Sequence, residues 1–176
     1  MSVAVAYTSR EREKIEVYKF SWPVTILLPT LALVFQAFVP TKLHFFEVFD
    51  LPLLVTIFLA VARRSPASGL LTGAVIGMIQ DSLGHRPIGL YGIAKTVVGY
   101  GASSIGVKID VENPGSRLLL TTAFYLLHQG VYFVVARGLA LETIAWRWGH
   151  TALLAVANGL LALVLFSLLD RLRRRG

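Results

Sequence analysis

Residues 65–84 read SPASGLLTGAVIGMIQDSLG, and residues 88–106 read IGLYGIAKTVVGYGASSIG. Small residues recur every three or four positions in both segments, so in a helix they lie along one face of each. The first stripe contains Ser65, Gly69, Gly73, Gly77 and Asp81. The second stripe contains Gly92, Thr96, Gly99, Ser103 and Gly106. Because only a short turn joins the two segments, they are expected to be antiparallel neighbours in a membrane, where small residues let backbones approach closely.

The composition of the whole chain agrees with a membrane location. Of 176 residues, 55% are apolar and 15% are charged, and the mean hydropathy is +0.66. Soluble domains average about 25% charged residues, so an ordinary soluble domain and a disordered chain are both disfavoured. The chain has no cysteine, which excludes disulfides, thiol catalysis and thiolate metal sites. The net charge of +7 is attributed to basic cytoplasmic loops rather than to nucleic-acid binding.

Apolar segments divide the chain into six candidate helices within a single domain, residues 1–176. The predicted spans are 20–39, 51–62, 66–83, 88–107, 118–136 and 149–169. Segment 51–62 would be about 18 Å long as a helix, which is too short for a hydrocarbon core of about 30 Å. The sequence therefore predicts an all-α integral membrane protein, a six-helix transmembrane bundle with one short or re-entrant helix.

The distribution of basic residues predicts the orientation of the bundle. With the N-terminus inside, twelve of the 17 Lys and Arg residues lie on the cytoplasmic side, four lie outside, and Lys95 lies within a span. The cytoplasmic set includes the basic segment 10–19 and the C-terminal run 171–175. The positive-inside rule therefore places both termini in the cytoplasm. The same two segments favour contact with the anionic surface of the lipid bilayer.

Asp81 and Lys95 are the charged residues well inside apolar segments, and such residues are functional candidates. Their depths differ by about 7.5 Å along the helices, a distance that a lysine side chain can reach by snorkelling. We therefore hypothesise an intramembrane polar pair of Asp81 and Lys95. The favoured interpretation is a structural network that fixes the hairpin turn together with Arg86, and the alternative is a proton or ion relay.

No arrangement of residues predicts catalysis. His128, Gln129 and Asn158 lie within spans, where interhelical hydrogen bonds are the favoured interpretation. A lone histidine without a second ligand at suitable spacing makes a poor metal site, and no nucleophile motif is present. We expect no enzyme activity, no metal and no cofactor.

The two glycine-containing stripes have two possible uses. In the favoured interpretation they pack the hairpin against itself, and in the alternative one stripe receives a helix from another protein or from a second copy of the chain in a homodimer. The interface hypothesis comprises these residues: Gly69, Gly73, Gly77, Asp81, Gly84, Gly89, Gly92 and Gly99.

Several short motifs in residues 51–106 resemble the rod-shape-determining MreD family. They are Asp50-Leu51-Pro52-Leu53-Leu54, Gly69-Leu70-Leu71-Thr72-Gly73, Gln80-Asp81-Ser82-Leu83-Gly84 and Ile88-Gly89-Leu90. The resemblance implies a non-catalytic scaffold of the bacterial cell-elongation complex in the cytoplasmic membrane. It implies that the protein binds MreC, a single-span protein, and through it MreB, RodA and the transpeptidase of RodA, so that lateral peptidoglycan synthesis is organised or activated. Lys95 is not recognised as a family feature.

The same resemblance leaves a second function open, because the family is similar to the substrate-binding subunits of energy-coupling-factor vitamin transporters. This alternative requires a pocket that opens to the outer side. Its candidate lining residues are His85, Arg86, Trp146 and Trp148. A third alternative, an intramembrane enzyme, is disfavoured because the sequence shows no catalytic constellation.

Overall fold

The computed structural model describes residues 22–106, 113–139 and 145–172, and within these ranges the chain is helical without strands. The six helices are α1 (Trp22–Lys42), α2 (Leu51–Arg63), α3 (Pro66–Leu83), α4 (Leu90–Gly106), α5 (Pro114–Gly138) and α6 (Trp148–Leu169). Short 3-10 helices follow α1 at His44–Val48 and α6 at Asp170–Leu172. The predicted all-helical class with six helices is confirmed for the described residues. The basic segment 10–19 and residues 173–175 lie outside them.

Three of the helices are long and apolar enough to cross a membrane: α1 from Pro23, α5 and α6. Their outward faces carry exposed aliphatic side chains such as Leu27, Leu119 and Leu153. Exposed apolar surface of this extent is typical of a lipid-facing boundary rather than of a soluble domain.

Helix α2 lies at the centre of the bundle. Every residue from Pro52 to Ala62 is buried, and the helix contacts each of the other five. At 13 residues it is about 20 Å long. The Asp50 carboxylate caps its first turn by accepting a hydrogen bond from Leu53 N at 3.0 Å, and Arg64 ends it with φ +51°. The short apolar segment of the sequence is therefore the core of the fold and does not face lipid.

Helices α3 and α4 form an antiparallel hairpin through the two glycine-containing stripes. A methyl group built at Gly69 would overlap the backbone of Gly99, and one at Gly73 would overlap the backbone of Lys95. A methyl group at Gly77 would overlap the backbone of Tyr91 in the same way. At Gly69, Gly73 and Gly77 the two helices are too close for any side chain, so these glycines pack the hairpin and are covered by it.

Polar contacts tie neighbouring helices together at one end of the bundle. We call the end that holds the α3–α4 turn, residues 84–87, the turn end. At the opposite end the Arg117 guanidinium lies 2.6 Å from the Asp170 carboxylate and joins the start of α5 to the end of α6. At that same end Arg63 donates to Thr25 Oγ1 at 2.7 Å.

Candidate functional site

A buried ion pair joins the start of α2 to the middle of α4. Lys95 Nζ lies 2.7 Å from Asp50 Oδ2, and the side chains are 0% and 14% exposed. Lys95 Nζ also lies 3.3 Å from His128 Nε2 on α5. An ammonium can only donate hydrogen bonds, so this contact requires His128 to accept at Nε2. One charged group thus connects three helices.

Asn158 of α6 extends this polar centre to the chain that precedes α2. Its Oδ1 accepts a hydrogen bond from Asp50 N at 2.9 Å, and its Nδ2 donates to Val48 O at 2.9 Å. Gln36 of α1 accepts from Leu51 N at 3.2 Å. These amide groups satisfy backbone atoms that the entry into α2 would otherwise leave unpaired in an apolar surrounding. Four helices, α1, α4, α5 and α6, therefore contribute a side chain to the centre, together with Asp50, the residue that caps α2.

A column of aromatic rings leads from the polar centre to the turn end. The rings of Tyr91 and His128 stack with centroids 5.5 Å apart, and those of Tyr91 and Tyr132 stack at 5.1 Å. Lys95 Nζ lies 4.9 Å from the Tyr91 ring centroid, and the Arg86 guanidinium lies 5.1 Å from it. Arg86 also donates to the Tyr132 hydroxyl at 3.0 Å. Tyr91 therefore lies between a buried cation and a surface cation, both of which are attracted to its ring.

Asp81 caps the start of α4 from the neighbouring helix. Its two carboxylate oxygens accept hydrogen bonds from the backbone amides of Gly89 at 2.9 Å, Tyr91 at 3.0 Å and Gly92 at 3.1 Å. Gly89 adopts φ +110°, a conformation that suits glycine, and this lets the turn deliver its amide. A carboxylate at a helix N-terminus is also stabilised by the helix dipole.

The direct partner of Lys95 in the structure is therefore Asp50 and not the hypothesised Asp81. The oxygens of Asp81 are occupied by backbone amides, and Asp50 reaches Lys95 because α2 packs against α4. In the sequence, Asp50 is singled out only as the first residue of the motif Asp50-Leu51-Pro52-Leu53-Leu54. Its position next to Pro52, before an uncharged segment, gave no indication that the start of α2 lies deep in the bundle.

The remaining residues of the hypothesised interface also belong to the hairpin. Gly92 packs against the Met78 side chain, with a built Cβ 3.0 Å from its Cγ. Gly84 ends α3, and its amide donates a hydrogen bond to Gln80 O at 2.9 Å.

His128 and Asn158 were predicted to form interhelical hydrogen bonds, and both do so. His128 contacts Lys95, and Asn158 bonds to the chain before α2. Gln129 instead donates to Tyr125 within α5 at 3.0 Å.

A cavity of about 380 Å³ opens at the turn end, between α1 on one side and the ends of α3 and α4 on the other. Of the four residues proposed for an outward pocket, Arg86 lines this cavity, whereas His85, Trp146 and Trp148 do not. The two tryptophans contact each other with ring centroids 5.2 Å apart.

Within the described part of the chain, no three His, Asp or Glu residues form a group that could hold a metal ion.

Taken together, the fold and the polar centre define a helical membrane protein with a self-packed interior in which the buried charges hold helices together. The chain belongs to the MreD family: the family model described as rod shape-determining protein MreD matches residues 16–172. Neither a curated protein nor a solved structure matches the chain. The family is one of shape-determining membrane proteins, in agreement with the resemblance found in residues 51–106.

Proposed function

We propose that this protein is a non-catalytic scaffold of the bacterial cell-elongation complex, which binds an MreC-like single-span protein and helps organise or activate lateral peptidoglycan synthesis. The observation that carries the proposal is the family match over residues 16–172. The buried centre supports it, because Asp50, Lys95 and Asp81 are each occupied by contacts within the bundle. In the proposed orientation both termini are cytoplasmic and the turn end faces outward.

The covered glycine stripes leave another face of the bundle for the partner helix. Two adjoining apolar grooves run along α5 and share Leu127. The first, of about 400 Å³, extends from Ser116 to Leu127, and the second, of about 580 Å³, extends from Leu126 to Val135. Together they cover about 28 Å of helix, close to the thickness of a hydrocarbon core. A single transmembrane helix is the occupant that fits a groove of this length and composition.

Small residues along this groove let a second helix approach closely. Ser116, Ala123 and Gly130 follow one another at intervals of seven residues and line the grooves. A methyl group at Gly130 would meet no atom within 4 Å, and Ala123 is exposed. Intervals of seven keep small side chains on one face over several turns, which suits left-handed packing of two helices.

The test measures how much partner remains bound after extraction from the membrane. The protein is co-expressed with the MreC-like protein of the same host, extracted gently, and weighed by native mass spectrometry. We expect Ala123→Leu and Gly130→Leu to reduce the bound partner at least tenfold, because leucine fills the groove. The matched control is Ala152→Leu on α6, an alanine that is also exposed but lies outside the groove.

Two outcomes separate the docking site from the function. If the partner binds wild type and all three variants equally, the α5 groove is not the docking site. If wild-type protein retains no partner under conditions that keep it folded, the scaffold proposal itself fails. A retained vitamin-sized molecule without a protein partner would move the assignment to a transporter subunit.

A further inference from the structure

Two adjacent arginines lie where α2 ends and α3 begins, at the end of the bundle opposite the turn end. Arg63 is the last residue of α2, and Arg64 follows it in a left-handed conformation with φ +51°. Both residues are partly buried. Because Ser65 caps α3 and Pro66 opens it, the connection is short and keeps the two arginines beside the first turn of α3.

The positive charge of Arg63 meets only neutral groups in the described part of the chain. Its guanidinium donates to Thr25 Oγ1 of α1 at 2.7 Å and to Ser68 Oγ of α3 at 3.1 Å. These bonds use two of the five N–H donors of an arginine, and neither hydroxyl carries a charge. Arg63 therefore links α1 to α3 without forming an ion pair with a described acid.

Arg64 adds a hydrogen-bond donor that is not satisfied. Its Nε is buried and has no hydrogen-bond partner, although a buried N–H group normally has one. The four acids among the described residues are placed elsewhere: Asp50 on Lys95, Asp170 on Arg117, Asp81 on backbone amides at the turn end, and Glu47 at the cavity of the turn end. The two guanidiniums are therefore suited to an anionic acceptor that the described chain does not supply.

The surface next to the two arginines is apolar on both neighbouring helices. On α1, Ile26 and Leu27 follow Thr25 and are exposed. On α3, Leu70 and Leu71 lie within a turn of Ser68 and are exposed as well. An anion that carries a hydrophobic tail gains contacts here that a free anion does not, and basic pockets between membrane helices bind lipid headgroups.

We propose that Arg64 and Arg63 bind the phosphate of an anionic phospholipid whose acyl chains lie along α1 and α3. A guanidinium matches two phosphate oxygens with two parallel N–H groups. Phosphatidylglycerol offers this phosphate without an ammonium group, whereas phosphatidylethanolamine brings an ammonium close to the arginines. The proposal does not depend on the scaffold function, because it concerns residues of this chain alone and needs no protein partner.

The first arm of the test compares lipids by native mass spectrometry of the full-length protein in detergent. We expect wild type to retain phosphatidylglycerol over phosphatidylethanolamine when both are supplied equally. We expect Arg64→Gln to weaken the affinity for phosphatidylglycerol by roughly tenfold or more, the effect of losing a hydrogen bond between charged groups. The matched control is Arg171→Gln, which removes one positive charge from an exposed position at the same end.

The second arm separates a lipid from a free anion through the unfolding temperature, which a ligand of the folded state raises. Phosphatidylglycerol should raise this temperature in wild type, whereas soluble glycerol 3-phosphate at equal concentration should leave it unchanged. Without added lipid, Arg64→Gln should unfold at the wild-type temperature, because the variant loses no hydrogen bond within the described residues.

Four results would overturn the proposal. Equal stabilisation by the soluble phosphate would show that the acyl chains contribute nothing. Equal loss of phosphatidylglycerol from Arg64→Gln and Arg171→Gln would show a general attraction to a basic surface. The absence of headgroup selection by wild type would show that no anion site exists. An Arg64→Gln variant that is unstable without lipid but retains phosphatidylglycerol fully would assign the arginine to contacts within the protein.

Discussion

Lys95 Nζ lies 2.7 Å from Asp50 Oδ2, inside a bundle that surrounds both side chains with apolar helices. The pair joins α4 to the first turn of α2, the short helix that every other helix contacts. Because α2 is too short to span a membrane, its start lies within the bundle, and an acidic cap at that depth requires a cation. The lysine supplies it from the neighbouring helix.

Removal of one partner should therefore leave a buried charge without compensation. We expect Lys95→Met to lower the free energy of unfolding by about 3–5 kcal/mol, the cost typical of breaking a buried pair. The measurement is reversible unfolding in mixed detergent micelles, followed by circular dichroism.

The control for this prediction removes both charges. Asparagine is a good helix cap, so Asp50→Asn combined with Lys95→Met should keep the cap of α2 and recover more than half of the lost stability. The single variants Lys95→Met and Asp50→Asn are measured beside it. If the loss of unfolding free energy in the double variant equals the sum of the losses in these two single variants, the two residues act independently and the ion pair does not explain the effect.

The contact of Gly73 with the backbone of Lys95 predicts a strong effect of any side chain at this glycine. We expect Gly73→Leu to prevent assembly of the α3–α4 hairpin, because backbone cannot move aside as a flexible side chain can. Gly130→Leu adds the same side chain at an open position of α5 and should leave the monomer folded. Size-exclusion profiles and unfolding temperatures in detergent would distinguish the two, and equal stability of both variants would contradict the packing role.

Asp81 should contribute through its oxygens rather than through pairing with Lys95. Asp81→Ala leaves the amides of Gly89 and Gly92 without an acceptor, so we expect a loss of about 1–3 kcal/mol for each donor left unsatisfied. Asp81→Asn keeps one carbonyl oxygen and should lose less than alanine. The measurement is the free energy of unfolding, which should be lowest for Asp81→Ala, intermediate for Asp81→Asn and highest for wild type. If Asp81→Asn is as unstable as Asp81→Ala, the charge of Asp81 matters more than its oxygens as acceptors.

The sequence identified the helices because their apolar residues are continuous in the chain. The predicted segment 66–83 coincides with α3, Pro66–Leu83, and segment 51–62 with α2 to within a residue. Ser65 and Pro66 mark the start of α3 by rules that act within one turn. Local chemistry of this kind is readable without knowledge of the tertiary packing.

The partner of Lys95 could not be read in the same way. Asp50 and Lys95 are 45 residues apart, and their contact depends on how α2 is placed among five neighbours. Depth along the hairpin favours Asp81 as the partner only if the adjacent helix provides the nearest acid. In the structure the backbone amides at the start of α4 occupy the oxygens of Asp81 instead. The turn-end cavity depends on three separated segments and likewise has no local sequence signal.

The orientation of the bundle remains a prediction of the basic-residue count, and the lack of cysteine makes it directly testable. His85 lies at the turn end and Ala67 lies in the first turn of α3 at the opposite end, and both are exposed. With both termini cytoplasmic, His85→Cys should react with a membrane-impermeant maleimide added to intact spheroplasts, whereas Ala67→Cys should react only after the membrane is opened. The reverse pattern would place the turn end in the cytoplasm. The turn-end cavity would then open on the cytoplasmic side.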